Sequence, residues 1–344
     1  MRKDLQSQHA NRGALVISLD LELHWGVRDR VKLDRREQER LLTAREAALR
    51  IAATLEEFSV NATWATVGFL FARSREDLER FTPSLRPAYA DARLDPYQEK
   101  IGRNESEDPF HFAPGLIAEI ARHPGQEIAT HSFSHYFCRE AGQNAAEFEA
   151  DLRSAIAIAE DAGYRIDSYV FPRNQVNPHY LEQLPKWGIS GYRALEESVL
   201  NSAGDFQLQQ RPWRRLLRLC DNYLDIAGAG TAPWPSGLPP FRLAAGRYLR
   251  PYSKVRRGLE VLQHRRIAKA MRAAAMRGEL FHLWWHPEDF ARDCESNLRF
   301  LRRVLAFYHR CREEFGMLSL SMREVSQAAY SSAFAPALTA REAI

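Results

Sequence analysis

Short apolar runs alternate with helix-like patterns along most of this 344-residue sequence. The first run, Ala14–Asp20, is apolar and ends in an acid, as expected of a buried strand. Residues 41–57 then repeat apolar positions at helical spacing without Gly or Pro. The same alternation predicts strands at 61–68, 126–130 and 168–171 and helices at 115–123 and 145–162. Strands separated by helices predict a parallel α/β fold.

The second half of the chain continues this pattern around a less regular stretch. Residues 227–240 are rich in Pro and Gly and predict a loop or an insertion. Helices are predicted at 178–187, 255–277 and 295–314, and strands near 189–192, 280–285 and 316–320. We therefore expect one catalytic domain over residues 1–330, with a basic, partly helical insertion at about 205–277 and a loose tail at 331–344.

Composition narrows the class of protein. Apolar residues make up 45% and charged residues 27% of the chain, which provides a large core and excludes a disordered or collagen-like protein. The four cysteines are scattered without a C-x-x-C pair, so we expect reduced thiols rather than a disulfide framework. The polar N-terminal residues precede an apolar run too short for a signal peptide, and no run is long enough for a membrane span. A cytoplasmic location is the expectation.

Positive charge is concentrated in one block. Between Arg211 and Arg272 there are fourteen Lys and Arg residues but only three acids, although the net charge of the whole chain is only +4. Such a block is typical of a face that binds phosphate groups or anionic lipid headgroups, or of an ordinary solvated surface. The segment 211–224 also mixes Trp and Leu with its arginines, as a membrane-surface helix does. We do not expect a nucleic-acid partner, because no binding motif accompanies the charge.

Four polar clusters follow predicted strands, where α/β folds place their functional sites. They lie at 20–26, 131–135, 171–175 and 286–289. Alternate residues of an extended segment share a face, so Asp20 and Glu22 are expected to point the same way. Two imidazoles four residues apart, His131 and His135, meet on one turn of a helix and suit a divalent metal.

The order of these clusters resembles the polysaccharide deacetylase superfamily (NodB-like, carbohydrate esterase family 4). The resemblance covers about residues 14–198 and 278–325. Its most specific part is residues 125–135, GQEIATHSFSH, which are similar to the motif G-H-E-I-x-x-H-[ST]-x-x-H. Residues 61–68 (NATWATVG), 171–173 (FPR) and 283–287 (LWWHP) are similar to three further motifs of the family. The resemblance implies a distorted (β/α)7 barrel.

The resemblance also implies a metal-dependent hydrolase that removes an N-acyl group from an amino sugar. Glu22, His131 and His135 would hold one divalent metal, with Zn²⁺ expected and Co²⁺ or Fe²⁺ as alternatives. Asp20 would act as the base, Arg173 would orient Asp20, and His286 would protonate the leaving amine. Trp25, Asn174 and Trp285 are expected to contact the substrate.

The chain departs from the family pattern at three points. Its first acid pair is Asp20-x-Glu22 instead of two adjacent acids, and Arg173 follows its proline instead of preceding it. The family's fourth motif has no clear counterpart, and Asp221 and Asp225 are both candidates for its acid. Two other functions stay open: a metal-independent amide hydrolase of the same superfamily, and a non-catalytic carbohydrate-binding protein.

The expected substrate is a saccharide precursor, because a cytoplasmic enzyme does not reach the finished cell wall. A nucleotide-linked or a lipid-linked amino sugar would suit the basic block, which can bind pyrophosphate or approach an anionic membrane surface. The sequence leaves the sugar, the acyl group and the oligomeric state undetermined.

Overall fold

A computed structural model describes residues 12–196, 219–223, 228 and 230–341. The strands within these ranges are β1 Ala14–Leu21, β2 Ala62–Thr66, β3 Gln126–Thr130, β4 Ser168–Val170, β5 Gly191–Leu195, β6 Phe241–Ala245, β7 Arg247–Tyr248, β8 Leu280–Trp285 and β9 Leu318–Leu320. The α-helices are α1 Arg35–Glu57, α2 Arg75–Phe81, α3 Pro114–Arg122, α4 Ala145–Asp161, α5 Gln183–Lys186, α6 Glu260–Arg277, α7 Cys294–Phe315 and α8 Met322–Arg341.

The strands form a nearly closed parallel barrel. Their order is β6-β5-β4-β3-β2-β1-β8-β7, and β9 adds to β1. Only Gly246 separates β6, which pairs with β5, from β7, which pairs with β8. The segment 241–248 therefore fills the seventh strand position and closes the barrel. This confirms the predicted (β/α)7 fold. A side chain at Gly246 would collide with the backbone of Gly230, whose carbonyl oxygen would lie 2.0 Å from the added Cβ.

Successive side chains of β1 point alternately to the helices and into the barrel, where the site lies. Leu15, Ile17 and Leu19 pack against the helices, whereas the intervening side chains point into the barrel. The inward positions become polar towards the C-terminal end, where Ser18 and Asp20 lie, both almost fully buried. The strand thereby brings a carboxylate to the end of the barrel at which α/β folds carry their chemistry.

Side-chain caps fix where the long helices begin. Asp34 accepts a hydrogen bond from the backbone N–H of Glu37 at the start of α1, and Asp293 does the same for Ser296 at the start of α7. Asn144 and Glu147 form a reciprocal capping box that begins α4. The helix starts therefore follow from local sequence.

Two predicted features differ in the structure. The closing strands β6 and β7 lie inside the range 205–277 that the sequence predicts as an insertion, so part of that range belongs to the barrel. Residues 205–218, 224–227 and 229 of that range lie outside the described residues. The last helix, α8, continues through most of the predicted loose tail. Within the described ranges, no helix is both long and apolar enough to cross a bilayer.

Candidate active site

The polar residues at the C-terminal ends of β1, β3 and β8 converge on one point. Glu22 follows β1 directly, and its Oε1 lies 2.8 Å from His131 Nε2 and 3.2 Å from His135 Nε2. Asp20 and His286 border the same point, with His286 Nε2 at 3.8 Å from Asp20 Oδ2 and 3.9 Å from Glu22 Oε1. All five residues are candidates that the sequence names, and the fold brings them together.

The hydrogen bonding of His131 indicates what its Nε2 presents to Glu22. The Nδ1 of His131 lies 2.8 Å from the carbonyl oxygen of Val170. Because a carbonyl only accepts, Nδ1 carries the proton, and in a neutral ring Nε2 then holds a lone pair. That lone pair faces the Glu22 carboxylate oxygen, so a proton or a cation must lie between the two acceptors.

The residues present fit a divalent cation. Two imidazole nitrogens and a carboxylate oxygen form one of the commonest ligand sets of zinc hydrolases, and a backbone carbonyl fixes the orientation of one ring. Burial lowers the pKa of His135 to about 4, although Glu22 opposes the shift. His135 is therefore neutral at pH 7 and has a lone pair available.

The segment that carries both histidines is a loop, not the helical turn that their spacing predicts. Ser132 and His135 have positive φ angles of 64° and 57°. The buried carboxylate of Asp151 accepts the backbone N–H groups of Phe133 at 2.8 Å and Ser134 at 3.0 Å and so holds the loop. Asp151 lies on α4, and no sequence motif pointed to it.

Asp20 is bound by Arg193, a residue that the sequence analysis did not select. The guanidinium of Arg193 donates to both carboxylate oxygens of Asp20, each at 2.6 Å, and to Ser18 Oγ at 3.1 Å. The Arg193 side chain is fully buried and lies under the ring of Trp284, 4.5 Å from its centroid. A fork of two parallel hydrogen bonds fixes the orientation of the carboxylate.

Arg173, which was predicted to orient Asp20, binds another acid. Its guanidinium donates to both oxygens of Asp29 at 2.6 Å and lies 4.2 Å from the ring centroid of Phe137. Arg173 has a left-handed backbone, with a φ of 54°, in the tight turn after β4. This turn directs its side chain to Asp29, and the predicted contact with Asp20 is replaced by that of Arg193.

Asn174, predicted to contact the substrate, supports Arg193. Its Oδ1 accepts from Arg193 Nε at 3.3 Å and from a terminal guanidinium nitrogen at 3.2 Å. Asn174 therefore helps to position the arginine that holds Asp20. Its contact with a substrate stays a prediction.

His286 is arranged as a proton donor. Its Nδ1 lies 3.3 Å from Asp289 Oδ2. Burial alone would lower the pKa of His286, but the Glu22 charge, the hydrogen bond to Asp289 and the Asp20 charge together raise it to about 10. With no cation on Glu22, the imidazole is therefore protonated at neutral pH, the form that a general acid needs.

Glu288, two residues after His286, is buried beside the site. Its Oε1 accepts the backbone N–H groups of Glu22 at 3.2 Å and Leu23 at 2.6 Å. Burial, followed by the charge of Glu22, raises the pKa of Glu288 to about 7. Leu23 has a φ of 48°, so this carboxylate holds a strained turn that presents Glu22.

Both tryptophans predicted to contact the substrate are buried. Trp25 is 1% exposed and packs edge-on against Phe69 and His111, and Trp285 is fully buried and stacked on Phe290. Both rings pack in the core, although Trp25 also borders a cavity lined by Tyr97 and Glu99. Alternation along β8 turns Trp285 towards the helices and its neighbour Trp284 into the barrel, beside Arg193.

The candidates for a fourth-motif acid do not join this site on the evidence of the described residues. Asp221 is buried and forms an ion pair with Arg247, and Arg266 Nη2 lies 3.7 Å from Asp221 Oδ1. Part of the basic block is therefore internal structure. Asp225 lies outside the described residues.

Comparison with known proteins supports the fold. No protein-family model matches the sequence, and no curated protein matches it significantly. A solved structure from Mycobacterium smegmatis, assigned as a polysaccharide deacetylase, is similar with a TM-score of 0.59 and 15% identity, covering 93% of this chain and 91% of its own. The PuuE allantoinase structure has a TM-score of 0.51 at 11% identity over 92% and 90% of the two chains. A structure from Pseudomonas aeruginosa PAO1, also assigned as a polysaccharide deacetylase, has a TM-score of 0.50 at 10% identity over 93% and 91%.

These similarities extend over nearly the whole of this chain and of each compared chain. At such low identity they concern the backbone, and the site residues above are known from this chain's own geometry. The protein therefore has the fold of the polysaccharide deacetylase superfamily, the NodB-like barrel.

Proposed function

We propose that this protein is a metal-dependent hydrolase that removes an N-acyl group, with acetyl as the first expectation, from an amino sugar. The observation that carries the proposal is the meeting of His131 and His135 at one oxygen of Glu22, beside Asp20 and His286. The assignment of two fold-similar structures as polysaccharide deacetylases supports it.

Glu22, His131 and His135 would hold one divalent cation, with Zn²⁺ proposed and Co²⁺ or Fe²⁺ as alternatives. When bound, such a cation supplies Lewis-acid chemistry that polarises an amide carbonyl and lowers the pKa of water.

The remaining steps fall to the protein's own side chains. Asp20 accepts the proton of the attacking water at a carboxylate oxygen, while Arg193 keeps that carboxylate in place. His286 then donates the proton on Nε2 to the nitrogen of the leaving amine, which would otherwise depart as an anion.

We propose a pyrophosphate-linked amino sugar as the substrate. Tyr248 lies between the site and the basic region: its ring centroid is 6.2 Å from that of His286, and the Arg250 guanidinium is 5.8 Å from the same ring. Exposed Lys254 and Arg257 follow in the chain. A sugar whose amide reaches His286 can therefore direct an attached phosphate towards these cations.

Nucleotide-linked and lipid-linked sugars share this pyrophosphate chemistry. A lipid-linked substrate would also bring the protein to an anionic membrane surface. The exposed side chains of Val255, Val261 and Leu262 beside those cations support such a contact, and Val255 is 95% exposed.

The first test measures metal content and acetate release together. Zinc-loaded protein should release acetate from a uridine-diphosphate-linked N-acetylamino sugar, and both Asp20→Asn and His131→Ala should abolish release, the latter with loss of metal. Hydrolysis that persists after complete metal removal would favour the metal-independent hydrolase. Sugar binding without release in the wild type would favour the non-catalytic binding protein.

A second test concerns the substrate class. Arg250→Gln should raise KM for the nucleotide-linked sugar and leave KM for the free N-acetylamino sugar unchanged. Arg265→Gln, at an exposed position on α6, is the matched control. Binding of the protein to vesicles with and without anionic lipid then distinguishes a lipid-linked substrate from a nucleotide-linked one. Equal KM values in both arginine variants would contradict a phosphate contact at Arg250.

A further inference from the structure

A second group of metal-ligating side chains joins the loop after β1 to the segment 99–111. His24, Glu99 and His111 each place a potential ligand atom within 4.8 Å of the others. Both imidazoles are 1% exposed, and Glu99 is half-buried. None of these residues takes part in the chemistry proposed above.

The hydrogen bonding of His111 repeats that of His131. His111 Nδ1 lies 2.8 Å from Asp108 Oδ2, and a carboxylate only accepts, so the proton is on Nδ1. Its Nε2 is then a lone-pair donor, and it is buried with no hydrogen-bond partner. A carboxylate that orients the far nitrogen of an imidazole is the usual support of a metal-bound histidine.

His24 adds a second buried nitrogen without a partner. Its Nδ1 has no hydrogen bond, and the His24 and His111 rings meet edge to face with centroids 5.2 Å apart. Leaving a buried polar atom unpaired costs about 1–3 kcal/mol. Two such atoms on adjacent rings therefore destabilise the fold unless a ligand binds them. One cation would satisfy both.

Glu99 provides the negative charge of the cluster and is its most exposed member. It lines a cavity of about 570 Å³ that also borders Trp25 and Tyr97. The backbone before it is already fixed against the loop after β1, because Arg28 donates to the carbonyl oxygens of Arg93 and Asp95. Glu99 is the member of the cluster on this wall, so a cation in the cavity would meet its carboxylate before the two buried imidazoles.

We propose that His24, His111 and Glu99 bind a second divalent transition-metal ion, Zn²⁺ by the chemistry of two imidazoles and one carboxylate, with water completing its coordination. Asp108 supports this centre through His111. The ion ties the loop after β1 to the segment around residues 99–111, and His24 lies two residues after Glu22, so the centre steadies the turn that presents Glu22.

The test counts metal ions per chain by native mass spectrometry, after removal of metal and titration with Zn²⁺ alone. Two ions are expected in the wild type and one in either His131→Ala or His111→Ala. Glu99→Gln, a half-buried change that threatens the fold less, should weaken one of the two sites by roughly 10-fold or more. Glu79→Gln, on the wall of the same cavity but outside the cluster, should retain both ions.

The outcomes separate this proposal from the proposed function. One ion that disappears in His131→Ala and is unaffected by His111→Ala and Glu99→Gln would overturn the second centre and leave the hydrolase intact. One ion that disappears only in His111→Ala would support the second centre and overturn the metal role of Glu22. Thermal unfolding of each variant identifies a loss of metal that merely reflects a loss of fold.

Discussion

The buried pair of Arg193 and Asp20 gives the sharpest test of how the site is held. Arg193 is fully buried, the Asp20 side chain is 3% exposed, and two hydrogen bonds of 2.6 Å join them. Arg193→Met removes the charge and leaves a buried carboxylate without its partner. Breaking a buried ion pair from one side costs about 3–5 kcal/mol, and we expect that loss in the free energy of unfolding.

The assay is thermal and urea unfolding of wild type and variant under the same metal conditions. A chain of 344 residues has an unfolding entropy of roughly 0.7 kcal/mol/K, so the expected loss lowers Tm by about 4–7 °C. Arg193→Lys keeps the charge but lacks the planar fork, and its loss should be intermediate.

A double-mutant cycle decides whether the effect comes from this pair. Arg193→Met combined with Asp20→Asn should cost less than the sum of the single changes, with a coupling near the upper end of about 0.5–3 kcal/mol. Arg173→Met, whose partner is Asp29, serves as the control, and its effect should add to that of Asp20→Asn within about 0.5 kcal/mol. Additivity for Arg193, or coupling for Arg173, would refute the assignment.

Three further predictions concern the surroundings of the site. Glu288→Ala leaves two buried backbone N–H groups without an acceptor and should cost at least about 1–3 kcal/mol in urea unfolding, whereas Glu288→Gln, which keeps one acceptor oxygen, should cost less. Trp285→Ala should cost about 3–5 kcal/mol because it empties a core position, whereas Trp284→Ala should mainly change kcat and KM; equal losses of stability would contradict their opposite orientations. The pKa of His286 is raised from 6.5 to about 10, so its protonation stabilises the fold fully below pH 6.5, and this contribution is lost as the pH rises through 10. In chelator-treated protein the urea midpoint should therefore fall over this range, and His286→Gln should flatten the dependence.

Local pattern predicted the parallel α/β fold and much of the site, whereas the barrel was implied by the resemblance to the polysaccharide deacetylase superfamily. The strands at Gln126–Thr130 and Leu280–Trp285 match their predicted ranges, because each is a short run between a helix-like pattern and a polar cluster. The polar side chains directly after the strands could also be predicted to form one site, because parallel strands have their C-terminal ends at the same edge. Glu22, His131 and His286 were found in this way.

The residues that support the site were harder to predict from the sequence. Arg193 lies one residue beyond the strand predicted at 189–192, whereas the observed strand is Gly191–Leu195. An arginine inside an apolar strand was the available signal, and the error in the strand boundary hid it. Strand alternation would similarly have favoured Trp284 over Trp285, because Trp284 shares a face with His282 and His286.

The sequence alone determined the alternation of strands and helices, the helix caps and the polar clusters, because each depends on neighbours within a few residues. The tertiary structure alone decided the pairings: Asp20 with Arg193, Arg173 with Asp29, and Glu288 with the backbone of Glu22. These partners are separated by 144 to 266 residues in sequence. Which of several arginines meets a given carboxylate depends on barrel closure and on the backbone of the turn that carries each side chain, and neither is encoded in local pattern.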